Sequence, residues 1–139
     1  MIFVDTSFFA ALLLPKDTNH TRAVRAIEEL GRSRLSDILL TTNNVILETI
    51  TVARYEGEHK VAVRAGELLY GGAMARVYRT TAEDEQEAFA YLRRHHDKEY
   101  SAVDCLSFVA MLKHGITEAF SFDDDFSHRF VMRPGPSRK

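Results

Sequence analysis

Apolar residues recur along the chain in two alternating rhythms. Short continuous apolar runs at 2–5 (IFVD), 38–42 (ILLTT), 75–80 (ARVYRT), 118–122 (EAFSF) and 130–132 (FVM) predict buried strands. Between them the apolar positions return at helical spacing. Ala23, Ile27 and Leu30 fall at i, i+4 and i+7; Val61, Ala65, Leu68 and Leu69 mark a second stripe; Phe89 and Leu92 point inward from a third. Local punctuation fits these elements. The first helix runs through Leu14 and breaks before Pro15, Asp17 or Thr18 caps the next, and Gly31 stands where a helix-terminating glycine belongs. Asn43 or Asn44 caps a helix that runs to Gly57, and Gly71-Gly72 closes the one after it. Thr81 with Asp84, and Ser101 with Asp104, have capping-box spacing, in which a hydroxyl and a carboxylate each satisfy a free backbone N–H. The second of these helices ends near His114-Gly115.

Continuous apolar strands that alternate with helices predict an α/β fold: a central, mostly parallel sheet of four to five strands, with helices on both faces. The 139 residues suit one domain, expected over 1–132, with a loose tail at 133–139. A net charge of −2 argues against a general polyanion binder, so contact with nucleic acid requires a local basic patch. Cys105 is the only cysteine, which excludes an internal disulfide and fits a reducing cytoplasm. The longest apolar run, 8–14, is too short to span a membrane and lacks the basic lead of a signal peptide.

Charge placement is the unusual feature. In FSFDDDFSH (120–128), Asp123, Asp124 and Asp125 crowd the point where a strand leaves the core. Two like charges about 5 Å apart repel by roughly 3 kcal/mol at an effective dielectric near 20. Asp5 likewise ends the first strand, Glu48 lies in the opening turns of the helix after the second, and Asp104 lies in the first turn of the helix that leads into the fourth. In a parallel sheet these positions share the edge at the carboxyl ends of the strands, where such folds bind ligands. Carboxylates gathered there are tolerable if some protonate or a cation enters. An all-oxygen donor set favours Mg²⁺ or Mn²⁺ over zinc, and such an ion supports phosphodiester hydrolysis.

The ordered set FVDTS, NVILE, YSAVDCLSF and AFSFDDDF resembles the four acidic motifs of the PIN-domain ribonucleases, and more narrowly those of the VapC toxins of VapBC toxin–antitoxin pairs. The resemblance covers nearly the whole chain. It implies a metal-dependent endoribonuclease that works as a homodimer in the cytoplasm and is held inactive by a VapB-type antitoxin. By position, Asp5, Glu48, Asp104 and Asp123 are the implied catalytic acids. Asp5, Asp104 and Asp123 are the implied metal ligands, and the hydroxyl of Thr6 or Ser7 orients a ligand or water. Asp123 is the first choice within the triple aspartate, Asp125 is a second ligand candidate, and Asp124 points away.

Structural roles compete with these. Asp5 can simply end a strand, Glu48 can complement a helix dipole, Asp104 can serve as a capping partner, and Asp124 and Asp125 can be solvated turn residues. Val45 and Val52 place Glu48 on a rather apolar face. Cys105 reads as a buried packer, because a reactive thiol needs electropositive surroundings. His95-His96-Asp97 reads as a solvated helix end, and the remaining histidines have no usable ligand spacing. Basic residues cluster at Arg22, Arg25, Arg32 and Arg34, at Arg93 and Arg94, and at Arg129, Arg133, Arg138 and Lys139; Tyr55, Tyr70 and Tyr100 are candidates for base stacking. No substrate-binding residue is singled out among them. Other function classes are a non-catalytic binding module on the same fold and a phosphoaspartate protein. A phosphatase of the latter kind needs a second aspartate at position 7, which is Ser7, and a receiver domain needs paired acids and a late lysine.

Overall fold

A computed structural model describes residues 1–31 and 33–135. Five parallel strands form one sheet in the order β3-β2-β1-β4-β5: β1 (Ile2–Val4), β2 (Leu39–Thr42), β3 (Arg76–Tyr78), β4 (Glu118–Phe120) and β5 (Val131–Arg133). Every residue of β1 and β2 is buried. Successive strand residues face opposite sides, so the sheet is covered on both faces, as the unbroken apolar runs require. The order also excludes a receiver domain, whose sheet runs 2-1-3-4-5.

Seven α-helices are present among the described residues: α1 (Thr6–Leu13), α2 (His20–Glu29), α3 (Leu35–Ile38), α4 (Asn43–Glu56), α5 (His59–Tyr70), α6 (Ala82–Arg94) and α7 (Ala102–Lys113). The core is aromatic: Phe8 stacks on Phe120 at 4.6 Å, and Phe108 meets Phe126 edge-on at 5.0 Å. Both predicted capping boxes are present, at Thr81/Asp84 and Ser101/Asp104. Gly31, Gly72 and Gly115 have positive φ after α2, α5 and α7, the backbone conformation that glycine adopts at least cost.

Several expectations are corrected. The cap of α4 is Thr42, whose hydroxyl accepts the Val45 N–H. Asn43 and Asn44 instead bond Thr80, tying α4 to the end of β3. Neither Asp17 nor Thr18 caps α2; Asn19 occupies that position without a side-chain cap, and Asp17 accepts the Asn19 N–H. Phe89 is 58% exposed, because α6 turns Asp84, Ala88 and Tyr91 inward at spacings of four and three residues. The single turn α3 had no clear periodic signal. The strands are shorter than the apolar runs, except that β5 extends to Arg133. The expected tail therefore begins inside the sheet, where the Arg133 carbonyl accepts the Ser121 N–H and its guanidinium pairs with Glu118. Arg32 and residues 136–139, including Arg138 and Lys139, lie outside the described residues.

Candidate metal-binding and catalytic cleft

Strand order reverses between β1 and β4, and both chains leave the sheet there at its carboxyl edge. Asp5 follows β1 directly and caps α1. Its Oδ1 accepts the Phe8 N–H at 3.1 Å and the Ser7 hydroxyl at 2.8 Å, and its Oδ2 accepts the Ser121 hydroxyl at 2.8 Å. Ser7 Oγ also accepts the Phe122 N–H, and Ser121 Oγ accepts the Asp123 N–H. Two serines thus lace the β1 exit to the β4 exit, fixing Asp5 relative to Asp123. The strand exits define one wall of a cleft of about 360 Å³ whose lining includes Asp5, Thr6, Glu48, Asp104, Ser107 and Asp123. Val45 and Val52 line it beside Glu48, in agreement with the apolar face expected there.

The four acids from distant segments therefore line one cleft. Oxygens of Asp104, Asp123 and the adjoining Asp125 lie within 4.8 Å of one another, with Asp5 and Glu48 outside this tight group. The triple aspartate separates by geometry. Asp123 faces the cleft while its Oδ1 accepts the Asp125 N–H, starting a 3-10 turn over Asp124–His128. That turn brings Asp125 back beside Asp104 and Asp123, and leaves Asp124 exposed. The Ser101 cap fixes Asp104 through its backbone N–H, so the residue satisfies a helix end and faces the cleft at once.

The electrostatics follow from this crowding. Burial drives the Asp5 carboxyl up to about 7, against the three hydrogen bonds that favour its charged form, and the Asp123 charge adds to the rise. Burial and the Asp104 and Asp123 charges also raise Glu48, opposed by the neighbouring Thr6 side chain. Asp104 is raised by burial and by Asp123 and Asp125, and Asp125 by burial and Asp123. All four shifts have one direction, that of a pocket short of positive charge. The donor set, carboxylates at mutual distances that one ion can bridge, fits a hard divalent cation bound through oxygen.

Thr6 and Ser7 both line the cleft; Ser7 is committed to Asp5 and the Phe122 N–H, and the Thr6 side chain lies beside Glu48. Cys105 is fully buried and its thiol is pushed up to about 11 by burial, with Asp104 adding to the rise, which makes it inert. His95 and His114 each bond a carbonyl of their own helix end through Nδ1, as a structural role demands. Ser121 was not anticipated. Its signal was present, since a serine inside an apolar strand must find a partner when buried. Asn19 and Asp17, from the loop before α2, also line the cleft and had no sequence signal beyond turn chemistry.

The sequence profile of the PIN domain family matches residues 2–129. Among characterised proteins, the 23S rRNA-specific endonuclease VapC20 of two Mycobacterium tuberculosis strains is 42% identical over 127 residues, covering 91% of this chain and 92% of the relative. The crystal structure of Mycobacterium tuberculosis VapC20, described as a Sarcin-Ricin loop cleaving toxin, superposes with a TM-score of 0.83 at 38% identity, over 92% of this chain and 94% of that one. FitAcB from Neisseria gonorrhoeae, at 17% identity, TM-score 0.64 and coverage of 96% and 98%, shares the fold.

Proposed function

This chain belongs to the PIN-domain family, and from that premise we propose that it is a VapC-type endoribonuclease toxin that hydrolyses RNA phosphodiester bonds with Mg²⁺ or Mn²⁺. The observation that carries the reading is the meeting of Asp5, Glu48, Asp104 and Asp123 in one cleft at the switch point of the sheet. Asp104 and Asp123 are the metal ligands, with Asp5 behind them and Asp125 as a further oxygen donor from the 3-10 turn. A divalent ion held there supplies charge neutralisation at the phosphoryl group and makes a nearby water more acidic. Glu48, half-buried and raised above the ordinary carboxylate range, is placed to take a proton from the attacking water. Ser7 and Ser121 hold Asp5, and through it the register between the two strand exits.

Relatives that act on 23S rRNA and its sarcin-ricin loop make that loop the first substrate to try. A VapB-type antitoxin neutralises the toxin, the active form is a homodimer, and the reaction takes place in the cytoplasm. No helix among the described residues is long and apolar enough to cross a membrane. Cleavage of 23S rRNA and of a loop oligonucleotide by purified protein with Mn²⁺, beside Asp5→Asn and Asp104→Asn, tests the reading. Cleavage by the wild type alone supports it; equal activity in all three proteins removes the site from the chemistry.

A further inference from the structure

The cleft wall has a property that the acidic set does not explain. Asp5, Asp17, Glu48, Glu56, Asp104 and Asp123 line it, and no lysine, arginine or histidine does among the described residues. One bound ion can balance only part of that charge, so a polyanionic strand approaching the cleft needs a cation at its mouth. Arg22 stands there. Its guanidinium lies 5.1 Å from the centre of the Phe122 ring, and its Nη1 donates to Asn19 Oδ1 at 3.2 Å. Phe122 and Asn19 are both lining residues of the cleft. A second nitrogen, Nη2, donates to the Gly135 carbonyl just past β5. Phe122 is itself stacked on Phe8, 5.7 Å away in the core, so the platform under the guanidinium is rigid.

These contacts fix the plane of the fork while using neutral partners only. Among the described residues no carboxylate lies within ion-pair distance of Arg22. A guanidinium has five N–H donors, and a held, half-buried, charge-unbalanced one matches the geometry of a phosphate. We propose that Arg22 is a substrate-binding residue, seating a phosphate of the RNA strand at the mouth of the acidic cleft so that a neighbouring phosphodiester reaches the carboxylates. The inference rests on the ribonuclease reading above. Asn19 and Phe122 act through it as positioning residues.

The test separates the two. Binding of a single-stranded oligoribonucleotide is measured with Mg²⁺ in the Glu48→Gln protein, which keeps the metal-ligand group intact, with and without Arg22→Met, over a range of salt concentrations. Loss of one phosphate contact weakens binding about tenfold or more and reduces the slope of log affinity against log salt by about 0.7. Arg22→Lys keeps the charge, so it restores the slope while recovering only part of the affinity. In the otherwise native protein, Arg22→Met raises KM for cleavage and leaves kcat within about twofold. A merely structural arginine, holding Gly135, lowers the melting temperature and leaves the salt slope unmoved; that result overturns the proposal even if the wild type cleaves RNA. Conversely, an Arg22-dependent slope in a protein that does not cleave upholds the phosphate seat and removes the ribonuclease reading.

Discussion

Two aspartates in this molecule are alike in accessibility and hydrogen-bond number and opposite in charge behaviour. Asp5 is 5% exposed and Asp84 is 2% exposed. Each serves a helix start, Asp5 as the cap of α1 and Asp84 as the third residue of α6 in its capping box. Each accepts three hydrogen bonds: Asp5 from Ser7, Phe8 and Ser121; Asp84 from the Tyr78 hydroxyl at 2.6 Å, the Thr81 N–H at 2.9 Å and the Lys113 ammonium at 3.2 Å. Burial pushes both upward. For Asp84 the Tyr78 and Thr81 bonds and the Lys113 charge outweigh it and hold the carboxyl at about 2; for Asp5 burial wins, helped by Asp123, and the carboxyl sits at about 7. Hydrogen-bond number does not separate them. Depth and a cation together do: Asp5 lies deep in the molecule, where burial outweighs its hydrogen bonds, whereas Asp84 lies just beneath the surface, with the Tyr78 hydroxyl and the Thr81 N–H as its strongest partners and the Lys113 ammonium beside them. The Asp84 arrangement belongs to a structural joint between β3, α6 and α7, that of Asp5 to the acid-lined cleft.

The largest expected effect is on cleavage. Asp104→Asn and Glu48→Gln each lower single-turnover cleavage by about a hundredfold or more, the scale of a lost general base or charge-stabilising group. Asp84→Asn, whose carboxylate is buried but balanced, stays within about twofold of the wild type at 25 °C. A comparable loss in Asp84→Asn breaks the division between joint and site.

A second effect is the sign of the pH dependence of stability without metal. The raised Asp5 pKa means that the folded state holds a proton that the unfolded chain releases near 3.8. Its contribution is therefore intact below about pH 4 and is lost as pH rises through about 7, a change on the order of 4 kcal/mol. Glu48, Asp104 and Asp125 shift in the same direction. Melting in chelator accordingly falls from pH 5 to pH 8, and Asp5→Asn flattens the curve and stabilises the protein at pH 8. A metal-free wild type that is more stable at pH 8 than at pH 5 contradicts the charge state assigned to the cleft.

Metal should erase that penalty. At a Mn²⁺ concentration about a hundred times its dissociation constant, a folded-state ligand adds about 2.7 kcal/mol of stability. The gain, read as a rise in melting temperature, is retained in Asp84→Asn and largely lost in Asp104→Asn. Equal gains in both variants place the ion somewhere other than the cleft.

The contrast also explains what was readable beforehand. Strand order could not be read, but strand ends and helix starts could, and in a parallel sheet those suffice to bring positions 5, 48, 104 and 123 to one edge. Both capping boxes were legible because their partners are three residues apart. The identity of Asp84 as a balanced buried charge was not, since its cation comes from Lys113, 29 residues away, across α6 and α7. Nor was Ser121, whose bond to Asp5 spans 116 residues. Phe89 failed for a related reason: α6 has several apolar residues, and the inward face was chosen by the polar Asp84 joint rather than by the largest side chain. Local chemistry was visible; pairings set by tertiary contact were not.

The smallest effect is also the sharpest test of the comparison. Asp84→Asn removes the charge but preserves shape, leaving the Lys113 ammonium and the Tyr78 hydroxyl facing a neutral amide. Hydrogen bonds to a charged group contribute about 1.5–3 kcal/mol, so a loss of about 2 kcal/mol at pH 7 is expected in urea unfolding. Because the folded carboxyl lies below its unfolded value, this stabilisation is present above about pH 4 and disappears as pH falls through about 2. The difference between wild type and Asp84→Asn is thus constant from pH 5 to pH 8, the same interval over which the Asp5→Asn difference grows. Parallel unfolding curves for the one variant and diverging curves for the other assign the two behaviours to the balanced joint and to the acid-lined cleft; divergence in both assigns the pH dependence to something other than the cleft.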